Sequence, residues 1–541
     1  MIKKITNSVY APFILAALIF VFFQSRIFNL GINFRDEGFL FLNAVRILSG
    51  DIPYKDFFMT TTPGSFYLIA GLVKLFGLQL IIARILYIIF VIILLFFVNL
   101  IYKFKNIYKY VLLVSVGLIF LGPSAIASYN IGALVFAIIS FYFLCKGLEQ
   151  KILINMFISG LFMALVFLFK QSYGIWVGLG FLLTIYYERY KEFGYRDSFP
   201  ILYIFGGLIS ILPFVVYLYI HEALAQFIYY SGTFSRMVKS HRNPFIIKSL
   251  ISVPLLFIGF KYILPKISIR LIGYLGLISL LVILTVNFIF KIHYFELSRI
   301  YYGIFIIFPI FCIALVRVNN RTNQIIRDSI FLLTLFLANA SSGRELGTVM
   351  WVSPVFFPLI IEIGAYTASK YKKIGIGVLI ISTFLVLIQG VYFSLNSINP
   401  NGRVYVAYKK DELNANLGSY GSYIMVSYED RNELNYLVEK INVYPSERKL
   451  LCFPYCPLMN VITQRESPSY FNFFYPEAFL KSDQEGVISD IKKSNPIIVV
   501  QKVGKLELEA NFEDKRFGIL KNYIIQNYKK TFETKDFAVY E

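Results

Sequence analysis

The sequence predicts a polytopic α-helical membrane protein of about thirteen transmembrane helices, followed by a small α/β soluble C-terminal domain. Three observations predict it. Of the 541 residues, 57% are hydrophobic and only 16% charged, with mean hydropathy +0.65; an ordinary soluble domain holds about 25% charged and 45–50% apolar residues. So little charge cannot cover the polar surfaces that a soluble chain of this length needs, which excludes a soluble enzyme, a disordered protein and a fibrous one. Apolar runs long enough to span a bilayer recur through residues 1–396 and then cease. Charge divides at the same place. Residues 397–541 carry equal numbers of basic and acidic side chains, so the whole net charge of +20 lies in residues 1–396. Short basic loops against the cytoplasmic leaflet account for that excess, and no nucleic-acid partner is implied.

A helix satisfies its own backbone polar groups in hydrocarbon, and roughly 20 apolar residues cross it. The runs between charged or turn-rich breaks are 9–29, 79–102, 110–122, 131–145, 152–169, 174–187, 199–220, 245–263, 271–290, 300–316, 329–340, 348–368 and 374–394. The first follows Lys3 and Lys4 and lacks a small-residue cleavage site after it, so it reads as a retained anchor. With the N-terminus cytoplasmic, the basic clusters around Lys103, Lys146, Arg189, Lys266, Arg317 and Lys370 all fall inside, which is what the positive-inside rule demands. Segment 64–77 is apolar but short and carries Lys74. Spanning there would turn every later basic loop outward, so it is expected to be an interfacial or re-entrant helix. The charged tail is then extracytoplasmic. It alternates helical patterns (Glu429–Ile441, Gln484–Lys493) with strand patterns (Lys449–Phe453, Pro496–Gln501, Phe537–Tyr540), the mark of a small α/β sandwich.

Few acids lie in residues 1–396, so candidates for chemistry can be enumerated. Glu149, Glu188, Glu192, Asp197 and Asp328 fall in inside loops and are expected to be solvated partners of basic neighbours. Glu362 falls near the inner interface. Outside remain Asp36, Glu37, Asp51, Asp56, Glu222, Glu296 and Glu345. Asp36 and Glu37 open an apolar helical stretch just after the first span, expected to lie in the membrane interface. Gly50, Pro53-Tyr54, Asp56-Phe57 and Thr62-Pro63-Gly64 then fold the loop back. An acid pair anchored at the outer surface suits one chemistry well. A carboxylate there can take the proton from an acceptor hydroxyl as it attacks the anomeric carbon of a lipid-linked sugar phosphate. The departing phosphate needs cations and hydrogen-bond donors, for which Lys170, Arg344, Arg299, Lys291 and Arg84 are candidates. Each also admits a plainer reading: the acids as solubilising charge, Lys170 snorkelling to headgroups, Arg84 packing against a carboxylate. His221 and His293, also predicted outside, lack paired metal-ligand spacing. Cys452 and Cys456 admit either a small-loop disulfide or two thiols.

The run Asp36-Glu37-Gly38, Ala44, Gly50, Pro53-Tyr54, Asp56-Phe57, Pro63-Gly64, Tyr67-Leu68 and Ala83-Arg84 resembles the N-terminal signature of GT-C glycosyltransferases. The type it is most similar to is the protein O-mannosyltransferase and aminoarabinose (lipid A) transferase group. Lys170-Gln171, Ser342-Gly343-Arg344 and the tail segments Tyr444-Pro445, Phe453-Pro454, Arg465 and Asn495-Pro496 add to the likeness. The resemblance implies an inverting transfer from a polyprenyl-phosphate sugar donor to a lipid, glycan or protein acceptor on the extracytoplasmic side. It implies Asp36, with Glu37 beside it, as catalytic, and Lys170 and Arg344 at the donor phosphate; Gln171 and Arg84 are further candidates there, and Tyr54, Asp56, Arg299 and His293 are candidate substrate-binding or loop residues. No metal ligands are assigned, although a divalent metal stays open as a cofactor. The expected location is a bacterial inner (plasma) membrane, in contact with membrane lipids. Two alternatives remain: a transporter or flippase for a lipid-linked glycan, and a glycan polymerase or ligase.

Overall fold

The computed structural model describes residues 9–104, 106–122, 125–193, 198–231, 323–341, 351–359, 361, 415–417, 423–474, 479, 481–502 and 517–541. Its helices in residues 1–396 are α1 (Ala11–Gln24), α2 (Asp36–Leu48), α3 (Gly64–Phe76), α4 (Ile81–Ile101), α5 (Asn106–Ile119), α6 (Tyr129–Gln150), α7 (Leu153–Phe169), α8 (Gln171–Phe193), α9 (Ser198–Ile220), α10 (Leu224–Ser231) and α11 (Asn323–Ser341). Three of them, α4, α6 and α9, are long and apolar enough to cross a membrane. The expected spans 245–263, 271–290, 300–316 and 374–394, with most of 348–368, lie outside the described residues.

Small residues set how closely these helices approach, as they do between helices in lipid. A Cβ on Gly160 of α7 would collide with the Tyr203 carbonyl of α9, and one on Gly206 of α9 with the Phe157 carbonyl of α7. Between α6 and α7, Ser140 Oγ donates to the Ser159 carbonyl (2.8 Å) and Ser159 Oγ to the Ser140 carbonyl (2.9 Å). At the C-terminal ends of α6 and α8 lies a charged knot. Arg327 is bidentate on Glu188 (2.6 and 2.7 Å) and reaches Glu149 at 3.2 Å. Expected to be solvated, Glu188 is 6% exposed against Arg327 at 4%. The expectation fails because α11, far away in sequence, folds its arginine over the glutamate.

The tail contributes β1 (Ala415–Asn416), β2 (Met425–Val426), α12 (Tyr428–Asn442), β3 (Leu450–Phe453), α13 (Leu458–Thr463), α14 (Lys481–Ser494), β4 (Ile497–Gln501), α15 (Gly518–Asn527), β5 (Lys530–Glu533) and β6 (Phe537–Tyr540). The larger sheet runs β3-β4-β6-β5, parallel between β3 and β4 and antiparallel elsewhere. All five positions of β4 are buried, the mark of a strand covered on both faces. Ser427 caps α12 by accepting from the Asp430 amide at 3.0 Å. At the other end of α12, the Arg465 guanidinium donates to the carbonyls of Ile441, Tyr444, Pro445 and Arg448 at 2.6–3.1 Å. Cys452 and Cys456 are disulfide-bonded.

One apolar core crosses the expected boundary at residue 396. It joins Leu40, Phe41, Phe57, Met59 and Phe66 of segment 30–78 to Leu434, Leu458, Val499 and Val539 of the tail. Leu40, Phe41, Leu42 and Ala44 of α2 are buried in this core, between α3 and the tail, while Leu48 stays exposed. β2 extends the join, with Gly31 donating to the Met425 carbonyl and Met425 to that of Asn29, both at 2.8 Å. Gly38 is needed where α2 meets α13, since a Cβ there would lie 2.8 Å from Leu458 Cα.

Candidate active site

The site begins with how α2 starts. Asn33 Oδ1 accepts from the amides of Arg35 (3.1 Å) and Asp36 (2.8 Å), satisfying donors that a helix start leaves open. The first turn then carries Asp36 and Glu37, where a helix dipole favours negative charge. The two acids meet different fates. The Asp36 side chain remains 30% exposed, with Arg35 Nε 3.4 Å from its Oδ1. Glu37 is fully buried. Its carboxylate takes Arg84 Nε at 2.7 Å, Arg84 Nη2 at 2.9 Å and the Asn33 amide at 2.9 Å.

Arg84 is equally buried, and its remaining donors go to the carbonyls of Phe28 (3.0 Å), Leu30 (3.3 Å) and Gly31 (2.7 Å). A guanidinium has five N–H donors, and all five are engaged. In this arrangement Arg84 has none to offer a phosphate, and Glu37 faces a guanidinium and an amide. The sequence-level assignments of Arg84 to donor phosphate and of Glu37 to catalysis therefore do not match their surroundings. The two side chains form an internal clamp that ties α2 to α4 and to the 28–31 turn.

Lys170 and Gln171 lie at the corner between α7 and α8. Lys170 is buried, donates from Nζ to Asn130 Oδ1 at 2.9 Å and sits 4.5 Å from the Tyr173 ring centroid. Gln171 grips the loop before α3. Its Nε2 donates to the Thr60 carbonyl at 2.7 Å, and its Oε1 accepts from the Thr62 amide at 3.1 Å. Thr62 Oγ1 adds a bond to the Phe167 carbonyl at 2.6 Å. These bonds bring the N-terminus of α3, which starts at Gly64, against the α7–α8 corner, where α8 starts at Gln171. The starts of α3 and α8 and the buried Lys170 ammonium thus share one corner of the bundle, and each favours negative charge. Among the described residues, Thr61 Oγ1, Ser65 Oγ and Ser172 Oγ are buried here without hydrogen-bond partners.

Hydrogen bonds joined by short backbone steps link this corner to Glu37, the neighbour of Asp36. Glu37 holds Arg84, the Ala83 carbonyl accepts from the Ala127 amide at 2.9 Å, and Asn130, three residues on, holds Lys170. Asn130 and Glu149 mark opposite ends of α6, about 28 Å apart at 1.5 Å per residue. That is close to a hydrocarbon thickness of about 30 Å, so the corner and the Arg327 knot occupy opposite ends of the bundle.

The remaining candidates shape the loop. Tyr54 is fully buried in a left-handed conformation (φ 68°), and its hydroxyl donates to the Thr61 carbonyl at 2.7 Å. Burial pushes that phenol well above its ordinary pKa. Asp56 closes a turn by accepting from the Ile52 amide at 2.7 Å. Asp51 pairs with Arg46 at 2.7 Å, and exposed Glu222 lies 3.8 Å from Lys55. His221 packs its ring against Tyr217 at 4.5 Å. Arg344, Arg299 and His293 lie outside the described residues. Among the described residues, a group of metal-type ligands lies in the tail: Asp430, Glu433 and Asp536, whose oxygens fall within 4.8 Å of one another. An all-carboxylate set suits a hard divalent cation such as Ca²⁺ or Mg²⁺ better than Zn²⁺.

Sequence reasoning missed Thr61, Ser65 and Asn130. Thr61 and Ser65 flank the Pro63-Gly64 turn it had noted, so a hydroxyl-rich helix start was the available signal. Asn130 had none, since only the fold sets it beside Lys170.

No protein-family model matches the sequence, and no curated protein does. Among solved structures, the chain is similar to the Archaeoglobus fulgidus oligosaccharyltransferase in complex with Zn and sulfate, with a TM-score of 0.49 and 13% identity over 91% of this chain and 68% of that one. It is also similar to ArnT from Cupriavidus metallidurans bound to undecaprenyl phosphate, with a TM-score of 0.47 and 11% identity over 98% and 97%. Both are GT-C glycosyltransferases. Likenesses of this degree assign no activity, substrate or metal.

Proposed function

We propose that the chain is an integral-membrane inverting glycosyltransferase that moves a sugar from a polyprenyl-phosphate donor to an acceptor hydroxyl on the extracytoplasmic side. One observation carries the reading: a partly exposed carboxylate, Asp36, at the same end of the bundle as an anion-binding corner. The resemblance of the first outer loop to GT-C enzymes supports it.

In this reading the acceptor oxygen attacks the anomeric carbon while its proton passes to an Asp36 carboxylate oxygen. The bond from that carbon to the phosphate oxygen breaks, and its electron pair leaves with the polyprenyl phosphate. A single displacement inverts the anomeric centre. Lys170, the amides opening α3 and α8, and the hydroxyls of Thr61, Ser65 and Ser172 receive the developing phosphate charge. Gln171 holds the loop that completes this corner. Glu37 and Arg84 keep Asp36 at its station. Residues 1–396 carry the reaction, and residues 397–541 form the extracytoplasmic part that covers the first outer loop.

The test is release of polyprenyl phosphate by purified full-length protein from a panel of polyprenyl-monophosphate sugars, read by mass spectrometry. Release from at least one member, lost in Lys170→Ala, is expected. A protein that moves such lipids between leaflets with no cleavage would be a flippase. Activity only on pyrophosphate-linked oligosaccharides would make it a polymerase or ligase.

A further inference from the structure

The tail does more than cover the first outer loop, because one of its segments is threaded into it. Residues 467–474 run along the loop with polar contacts on two separate limbs. On the first limb, Tyr470 accepts at its carbonyl from the Phe58 amide (2.9 Å) and donates from its hydroxyl to the Tyr54 carbonyl (2.8 Å). Its ring lies 6.4 Å from that of Phe58 and 5.7 Å from that of Tyr230. On the second limb, Asn472 Nδ2 donates to Asn43 Oδ1 at 2.8 Å, and Phe473 packs on Phe39 at 5.1 Å. Both partners are on α2, the helix that starts at Asp36. Arg46, also on α2, donates to the Ser469 carbonyl at 3.2 Å. The segment is itself anchored, since Asp490 on α14 accepts from Ser469 Oγ at 2.9 Å and from the Tyr470 amide at 3.3 Å.

The two limbs lead to the two halves of the site. From Tyr54 the path runs through its hydroxyl to Thr61, and from Phe58 along the backbone to Thr60 and Thr62, which Gln171 grips beside Lys170. From Asn43 and Phe39 it runs along α2 to Asp36. Tyr54 also holds a backbone conformation that non-glycine residues rarely adopt, and such a conformation persists only where its surroundings fix it. Tyr470 is one of the groups that fix it.

We propose that residues 467–474 act as a strap that sets the spacing between the base and the phosphate corner, with Tyr470 as a positioning residue. This rests on the glycosyl-transfer reading above. Tyr470 touches neither the reacting atoms nor the lipid, so its loss acts through geometry. Turnover falls while the donor concentration for half-maximal rate stays the same, because the donor still meets Lys170, which Asn130 holds, but the Thr61 and Ser65 hydroxyls that receive charge in the transition state are displaced from the base.

The experiment compares full-length wild type with Tyr470→Phe and Asn472→Ala in detergent, by hydrogen exchange and by turnover of a polyprenyl-monophosphate sugar that the wild type cleaves. Tyr470→Phe is expected to speed exchange of the 54–62 amides at least about tenfold. It is expected to lower kcat about tenfold or more at unchanged KM, the size a small displacement of reacting groups can produce. Asn472→Ala is expected to loosen α2 in the same way. Unchanged exchange at 54–62 in Tyr470→Phe overturns the strap, and faster exchange with wild-type kcat overturns its positioning role. A wild type that cleaves no donor refutes the transferase reading instead, while the exchange comparison still decides whether the strap holds the loop.

Discussion

Substituting Glu37 by Ala removes the carboxylate that neutralises a fully buried guanidinium. Arg84 then keeps its bonds to the carbonyls of Phe28, Leu30 and Gly31 but loses both charge-assisted bonds, at 2.7 and 2.9 Å. The Asn33 amide loses its acceptor as well. Breaking a buried ion pair from one side costs about 3–5 kcal/mol, because the surviving charge stays uncompensated in low dielectric. That is a large share of the roughly 5–15 kcal/mol that holds a typical domain together. Arg84→Met leaves the opposite charge stranded and should cost a similar amount. The double variant removes both charges and recovers most of the sum, leaving a deficit of about 1–3 kcal/mol for three carbonyls without their donor. Unfolding of the purified protein in graded SDS–detergent mixtures supplies the four free energies of the cycle. The expected coupling is about 2 kcal/mol or more in favour of the double variant. Strictly additive losses, or a Glu37→Ala protein within about 0.5 kcal/mol of wild type, would refute the clamp and reopen Glu37 as a reacting group.

Gly38→Ala should destabilise by about 1–3 kcal/mol through the clash with Leu458, although alanine is the better helix former by about 1 kcal/mol; a stabilised variant in the same assay would mean that α2 and α13 are not in contact. Gln171→Ala should free the Thr62 amide from its acceptor and raise its hydrogen exchange about tenfold, with no rise if Gln171 does not grip the loop. In the tail, the Arg448 hydrogen bond holds the Glu541 carboxyl below its ordinary value, with Tyr444 adding to it. A depressed folded pKa stabilises fully above the unfolded value of about 4.3 and loses that contribution as pH falls through the folded one. Protection of the β6 amides, taken relative to their intrinsic exchange rates, should therefore fall on acidification from about pH 6 to 3, and Arg448→Ala should flatten that trend; an identical protection profile in the variant would contradict it.

Much of the fold was legible in local pattern. Apolar runs located α4, α6, α7 and α9 to within a few residues, and α12, α14, β3, β4 and β6 followed their periodicities. β5 was missed because Lys530, Thr531 and Glu533 are exposed at the sheet edge and Phe532 is only partly covered, so no buried alternation marks it. The six residues of α13 are too few to show a helical period. The site was legible only where chemistry is carried by neighbours in sequence. The turn residues and the acid pair placed Asp36 at the head of a helix. They could not show that the adjacent acid is consumed by Arg84, 47 residues away. Nor could they show that Glu188 is buried by Arg327, or that the tail shares its core with the first loop, since both depend on contacts across the whole fold.

Asp36 bears the central claim, and its conservative replacement tests it most directly. Asp36→Asn keeps the size and helix-start position of the side chain but cannot accept the acceptor's proton. Purified Asp36→Asn should unfold with wild-type stability, still bind the polyprenyl-phosphate sugar that the wild type cleaves and release no polyprenyl phosphate from it. Wild-type release by the same variant would remove the proposed base and with it the mechanism.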